Sequence, residues 1–118
     1  MKILLVEDDE RVRKILRIHL GKAGHELIEA ENGQVGWDLF SGDQFDFILC
    51  DIRMPRINGI ELVKKIRETS KEIPVIMLSG FMDSTMVEDA INAGANDFLS
   101  KPVKKSDILE QIEKYQSN

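Results

Sequence analysis

Phe47-Ile48-Leu49-Cys50-Asp51-Ile52-Arg53-Met54-Pro55 is the stretch on which the fold turns, because four consecutive apolar residues run directly into an acid. The run is too short for a helix and does not alternate with polar residues, which suits a strand buried on both faces of a parallel sheet. Two more runs have the same character, Ile3-Leu4-Leu5-Val6 and Val75-Ile76-Met77-Leu78. Weaker strands are expected at residues 26–30, where glutamates bracket Leu27-Ile28, and at 96–99, short and partly polar; both read as edge strands.

Between these runs the apolar period becomes helical. Val12, Ile15, Leu16, Leu20 and Ala23 share one face, Arg11, Arg13, Lys14 and Arg17 lie mostly opposite, and Gly24 supplies a C-terminal stop. Further helices are expected over residues 34–40, 60–69, 84–93 and 106–115, with Asn32-Gly33, Asn58-Gly59 and Gly94-Ala95-Asn96 as punctuation. Five successive βα units imply an α/β fold: a doubly wound, five-stranded parallel sheet with right-handed crossovers. The common strand order for five strands is 2-1-3-4-5, which places the ligand crevice at the carboxyl ends of strands one and three.

Composition narrows the classes of function. A chain of 118 residues, 42% hydrophobic and 31% charged, is sized for one domain, read here as residues 1–118. Sixteen basic against twenty-one acidic residues leave a formal charge of −5, against direct binding of nucleic acid or an anionic membrane. The single cysteine, Cys50, excludes an internal disulfide, and no signal-peptide layout or apolar run of about 20 residues is present, so a cytoplasmic location is expected.

The strand ends carry the chemistry. Val6 leads into Glu7-Asp8-Asp9, Cys50 into Asp51, Leu78 into Ser79, and Leu99 through Ser100 into Lys101. Folding should gather carboxylates, a hydroxyl and an ammonium at one rim, although core packing requires none of them. Crowded carboxylates raise one another's pKa unless a cation intervenes. Mg²⁺ suits one or two carboxylates plus water and phosphate oxygens, which Asp8 and Asp51 could offer. Zinc is disfavoured, since His19 and His25 lie far from the cluster and Cys50 should face the core. Each part has a plain alternative: Asp8 or Asp9 as a helix N-cap, Ser79-Gly80 as a turn, Lys101-Pro102 as a solvated loop. Only their joint placement favours an Asp51 nucleophile toward phosphorus, with Lys101 neutralising charge and Ser79 donating a hydrogen bond.

Val6-Glu7-Asp8-Asp9, Asp51-Ile52-Arg53-Met54-Pro55 with Asn58-Gly59, Leu78-Ser79-Gly80 and Phe98-Leu99-Ser100-Lys101-Pro102, in that order, closely resemble the motifs of response regulator receiver domains. That resemblance implies a flavodoxin-like (βα)5 fold and a phosphoacceptor in a two-component phosphorelay rather than an enzyme with a separate substrate. It implies that Asp51 takes phosphate from a phosphohistidine on a histidine kinase or histidine phosphotransfer protein. It also assigns Asp8 as direct Mg²⁺ ligand, Glu7 as acting mainly through water, the backbone carbonyl of Arg53 as a further ligand, and Ser79 and Lys101 as phosphate contacts. The Lys101-Pro102 bond is expected to be cis. On phosphorylation Ser79 should move toward the new oxygens and Phe98 turn inward, remodelling the surface of the fourth helix, fifth strand and fifth helix for a downstream output domain or partner. Glu7 stands where Asp is more usual and Ser79 where Thr is common, while Arg53 and Phe81 occupy positions that influence the attacking water. No room is left for an output domain, so a stand-alone regulator or a piece of a longer protein is expected.

Rival functions fit less well. A haloacid-dehalogenase-type phosphatase wants a second Asp where Arg53 stands. A flavin carrier would meet an acidic loop repelling its phosphate. A purely interaction-based receiver would be expected to have lost the acids or the lysine. His19, His25, Cys50 and Trp37 are read as packing or turn residues, and Met77, Met82 and Met86 as too scattered to form a binding groove. The acid crowding itself makes a prediction: Asp8→Ala should raise the melting temperature without metal and diminish the Mg²⁺-induced shift, as thermal melts with and without Mg²⁺ will report.

Overall fold

In a computed structural model describing residues 1–54, 56–80 and 84–116, the chain alternates strand and helix throughout. The elements are β1 (Lys2–Val6), α1 (Glu10–Lys22), β2 (Glu26–Ala30), α2 (Gly33–Gly42), β3 (Phe47–Asp51), α3 (Gly59–Thr69), β4 (Val75–Ser79), α4 (Ser84–Ala93), β5 (Asp97–Ser100) and α5 (Lys105–Gln116). The five strands are parallel in the order β2-β1-β3-β4-β5, with β2 and β5 at the edges as expected. The doubly wound α/β reading is therefore correct. Pro55, Phe81 and Met82, singled out in the sequence, lie outside the described residues.

The period-two geometry of the strands explains the unbroken apolar runs, because alternate side chains enter two separate cores. Leu4, Val6, Ile48, Cys50, Val75 and Met77 pack with Leu62, Val63, Ile66 and Ala90 of α3 and α4. Ile3, Leu5, Phe47, Leu49, Ile76 and Leu78 pack with Leu16 and Leu20 of α1 and with Ile108 and Ile112 of α5. Cys50 is fully buried in the first core, and burial drives its thiol pKa up, so it acts as a small apolar residue.

Hydrogen bonds rather than hydrophobicity set the ends of the elements. β3 continues through Asp51, paired in register with Leu78, and β4 through Ser79, paired with Ser100, so both polar residues belong to strands and not to the turns after them. β5 begins at Asp97, one residue later than the sequence suggests; Asn96 just before it donates its N–H to Val75 O and accepts the Val75 N–H on its side chain, both at 2.8 Å. Asn32 and Asn58 do more than punctuate. Each caps a helix, accepting the N–H of Val35 and Glu61 respectively at 2.9 Å, which starts α2 one residue earlier than its apolar pattern implies. Gly24, at φ +90°, lies just past α1 in the left-handed conformation that such stops require.

Gly59 holds the β3–α3 connection against the end of β3. Its N–H donates to Ile52 O at 2.9 Å, and a Cβ there would lie 2.2 Å from Asp51 O and 2.8 Å from Ile52 Cα. Backbone cannot yield as a side chain does, so Gly59→Ala is expected to cost about 3 kcal/mol in urea unfolding, at the upper end of ordinary overpacking. A loss under about 1 kcal/mol would mean that α3 shifts without disturbing Asp51.

Candidate functional site

At the carboxyl edge of β1, β3, β4 and β5 the structure assembles the polar residues named from sequence. Three consecutive acids after β1 divide the work. Glu7 turns inward and is fully buried. Asp9 caps α1, accepting the Arg11 N–H at 2.9 Å, and its own N–H donates to Glu7 Oε2 at 3.0 Å. Asp8 is left exposed at the rim. With the N-cap role assigned to Asp9, Asp8 keeps its carboxylate for the site.

Asp51 continues the side of β3 that carries Phe47 and Leu49, and its residue is only 4% exposed. Carboxylate oxygens of Glu7, Asp8 and Asp51 can all lie within 4.8 Å of one another, a spacing at which three acids can hold a metal ion. The donor set is all oxygen, which fits a hard cation such as Mg²⁺ rather than zinc. Arg53, on the exposed start of the β3–α3 connection, places a main-chain carbonyl two residues after Asp51.

Lys101 reaches back over this edge from the end of β5. Its Nζ lies 2.7 Å from Glu7 Oε1 and 3.1 Å from Asp51 Oδ2, and its N–H donates to Ser79 O at 2.8 Å. The Lys101-Pro102 peptide is cis, as expected. Burial holds Glu7 well above the carboxylate range, at about 7, although Lys101 and the Asp9 N–H pull the other way. Burial also raises Asp51, opposed by Lys101. Burial draws Lys101 down, but its ion pairs with Glu7 and Asp51 outweigh that and leave it raised. The crowding argument thus needs amendment. Desolvation raises these acids more than mutual repulsion does, and the chain itself supplies a cation between them.

Ser79 is buried, and its hydroxyl donates to Leu99 O at 3.4 Å, away from the acids. Phe98 is 42% exposed on β5. Between them, against α4, is a cavity of about 410 Å³ lined by residues including Ser79, Val87, Phe98 and Lys101. One participant escaped sequence reading. Arg13, assigned to the solvent side of α1, has a side chain only 12% exposed and donates from Nη1 to the Glu7 main-chain carbonyl at 2.5 Å. Its signal was there in outline, an arginine six positions after the first acid with Glu10 one turn earlier.

Comparison with known proteins bears on the fold and the family. A family profile described as the response regulator receiver domain matches residues 3–113. The transcriptional regulatory protein SrrA of Staphylococcus aureus is 32% identical over 111 residues, covering 94% of this chain and 46% of SrrA, so the chain spans about half the length of that curated relative. Among solved structures, a CheY-like response regulator receiver domain protein from Methanospirillum hungatei superposes with a TM-score of 0.92 at 30% identity, covering 98% of this chain and 94% of the other. The chemotaxis protein CheY4 of Vibrio cholerae gives 0.89 at 28%, covering 97% of each. Among the described residues no helix is long and apolar enough to cross a membrane.

The buried acids imply a pH signature without metal. Folded Glu7 keeps its proton to about pH 7, whereas the unfolded chain releases it near 4.5, so the native state binds more protons between those values. This contribution to stability is complete below about pH 4.5 and is lost as pH rises through about 7. Glu7→Gln cannot titrate and is expected to flatten the decline, which reaches at most roughly 1.4 kcal/mol per pH unit, leaving only the share of Asp51. Metal-free urea melts across that window will show it, and an unaltered slope in the variant would assign the effect to other groups.

Proposed function

As the chain belongs to the response regulator receiver domain family and so to two-component signalling, we propose that it is a phosphoacceptor module in which Asp51 takes a phosphoryl group from a partner phosphohistidine. The observation that carries this reading is the Lys101 ammonium poised between Glu7 and Asp51 at the rim of the sheet, beside an exposed third acid, Asp8. In the reaction an Asp51 carboxylate oxygen forms a bond to phosphorus as the phosphorus–nitrogen bond of the donor histidine breaks, and the imidazole nitrogen keeps the electron pair. The product is an acyl phosphate on Asp51, and the donor histidine picks up a proton from water.

Each side chain has a separable part in this. Lys101 favours the ionised Asp51 against its burial, and then offsets charge on the transferred oxygens. Asp8 and Asp51, with Glu7 through water and the Arg53 carbonyl, would hold Mg²⁺, which when bound neutralises charge on the phosphoryl group. Ser79, now turned to Leu99 O, would swing to donate to a phosphoryl oxygen. Phe98 would enter the cavity beside Ser79, altering the surface of α4, β5 and α5 offered to an output domain or protein. Activity on a separate small substrate is not part of this reading.

Residues beside the rim support a protein as phosphodonor. Ile15 and Ile18 on α1 are 50% and 44% exposed, and Ile15 borders a small apolar cleft with Val12, Pro102 and Val103, next to Lys101. A partner bringing histidine to Asp51 could bury this surface, and the acidic balance of the chain argues against nucleic acid there. Such a module working with a histidine kinase or phosphotransfer protein belongs in the cytoplasm.

Intact-mass spectrometry after incubation with acetyl phosphate and Mg²⁺ tests the chemistry directly. A single phosphoryl adduct is expected, absent from Asp51→Asn and from metal-free samples. If no adduct forms and beryllofluoride also fails to bind with Mg²⁺ present, the chain acts as an interaction module instead.

A further inference from the structure

The peptide plane joining Glu7 to Asp8 is held by a side chain from α1. The last register pair of β1 with β2 is Val6 with Ala30, and the Glu7 N–H donates to Ala30 O at 3.0 Å. Beyond that point β2 has ended and the Glu7 carbonyl needs another donor. Among the described residues it finds Arg13, whose Nη1 donates to it at 2.5 Å. The guanidinium is fixed in turn: Nη2 pairs with Glu10, and Nε lies 3.5 Å from Glu29 Oε1. Arg17 secures Glu29 from the other side with bonds of 2.6 and 2.8 Å, so α1 and β2 are cross-linked beside the acids.

A peptide unit is planar, so fixing the Glu7 carbonyl fixes the positions of the Glu7 and Asp8 Cα atoms together. Both carboxylates leave from those atoms. We propose that Arg13 is a positioning residue for the cation site, setting through the Glu7 carbonyl the directions in which Glu7 and Asp8 present their oxygens. The inference rests on the reading of Glu7, Asp8 and Asp51 as a Mg²⁺ site. The direction of the effect is diagnostic, because Arg13 is a cation: by charge alone its removal would tighten binding of Mg²⁺. Positioning predicts the opposite. Groups that orient metal ligands typically govern ten- to a hundredfold in affinity, and a single main-chain contact belongs near the lower end.

The test is calorimetric titration of the full chain with Mg²⁺ at constant ionic strength, beside thermal melts in the absence of metal. Arg13→Gln is expected to weaken Mg²⁺ binding on the order of tenfold. Arg13→Lys, which keeps a donor and a charge, should recover part of that loss, and this conservative variant carries the test if Arg13→Gln does not fold. Arg67→Gln removes a cation that donates to the Gly94 and Ser70 carbonyls at the opposite edge of the sheet; it should lower stability yet bind Mg²⁺ as the unchanged protein does. Equal or tighter Mg²⁺ binding in both Arg13 variants would overturn the inference, as would equal weakening in Arg67→Gln. Absence of saturable Mg²⁺ binding in the unchanged protein would overturn the cation-site reading and this inference with it.

Discussion

The Lys101 ammonium, 2.7 Å from one oxygen of a fully buried Glu7 and 3.1 Å from one of Asp51, is the contact on which the rim of the sheet depends. Two carboxyl groups have been taken out of water where two apolar inner strands end, and burial alone would drive both toward their neutral forms. One lysine opposes that for both at once, and an isolated buried charge is far more costly than a paired one. The lysine is placed by main-chain geometry as much as by attraction, since its N–H is bound to Ser79 O at the end of β4. Concentrating the charges here lets both cores beneath remain wholly apolar.

Why the charges meet at all follows from the parallel sheet. All five strands deliver their carboxyl ends to one edge, and helices must cover both faces, so that edge is where strand residues can be polar without opposing a helix. Strand periodicity then sorts neighbours. Cys50 and Asp51 are adjacent in sequence, yet the thiol lies in the core under α3 and α4 while the carboxylate continues the side of Phe47 and Leu49. Caps complete the arrangement. Asp9, Asn32 and Asn58 satisfy helix N-termini beside the edge, and so the acid nearest solvent, Asp8, is not required to.

The fold was legible because its signals are redundant: three runs buried on both faces, helical periods between them, and edge strands weakened by glutamate or shortness all specify one strand order. The acids, Ser79 and Lys101 were legible as a set because each follows the end of a strand. Less was readable where hydrogen bonding overrides hydrophobicity. Asp51 and Ser79 are strand residues because the ladder continues one step past the apolar run, and at the start of β5 the Asn96 side chain takes the Val75 N–H that a strand carbonyl would otherwise accept. Arg13 was missed for a related reason. An arginine on the polar side of an amphipathic helix ordinarily faces water, and only the tertiary placement of β2 shows that a main-chain carbonyl lies within its reach. Charge crowding in sequence likewise pointed to repulsion, whereas depth of burial, a property of the fold, has the larger influence on both acids.

The longer arm of Glu7 joins these observations. An aspartate at that position would have one fewer methylene with which to reach Lys101, whereas Glu7 approaches the ammonium more closely than Asp51 does. Lys101 is therefore shared, and its two partners are coupled. Added negative charge at Asp51 would draw the ammonium away from Glu7, and a buried Glu7 losing its counter-ion would favour its protonated form. The same competition works in reverse: protonation of Glu7 leaves Lys101 more fully to Asp51 and favours the ionised form of Asp51. A single methylene thus ties the protonation of a buried acid to the charge on its neighbour through one lysine, with the Glu7 carbonyl held by Arg13 as the fixed point from which that arm extends.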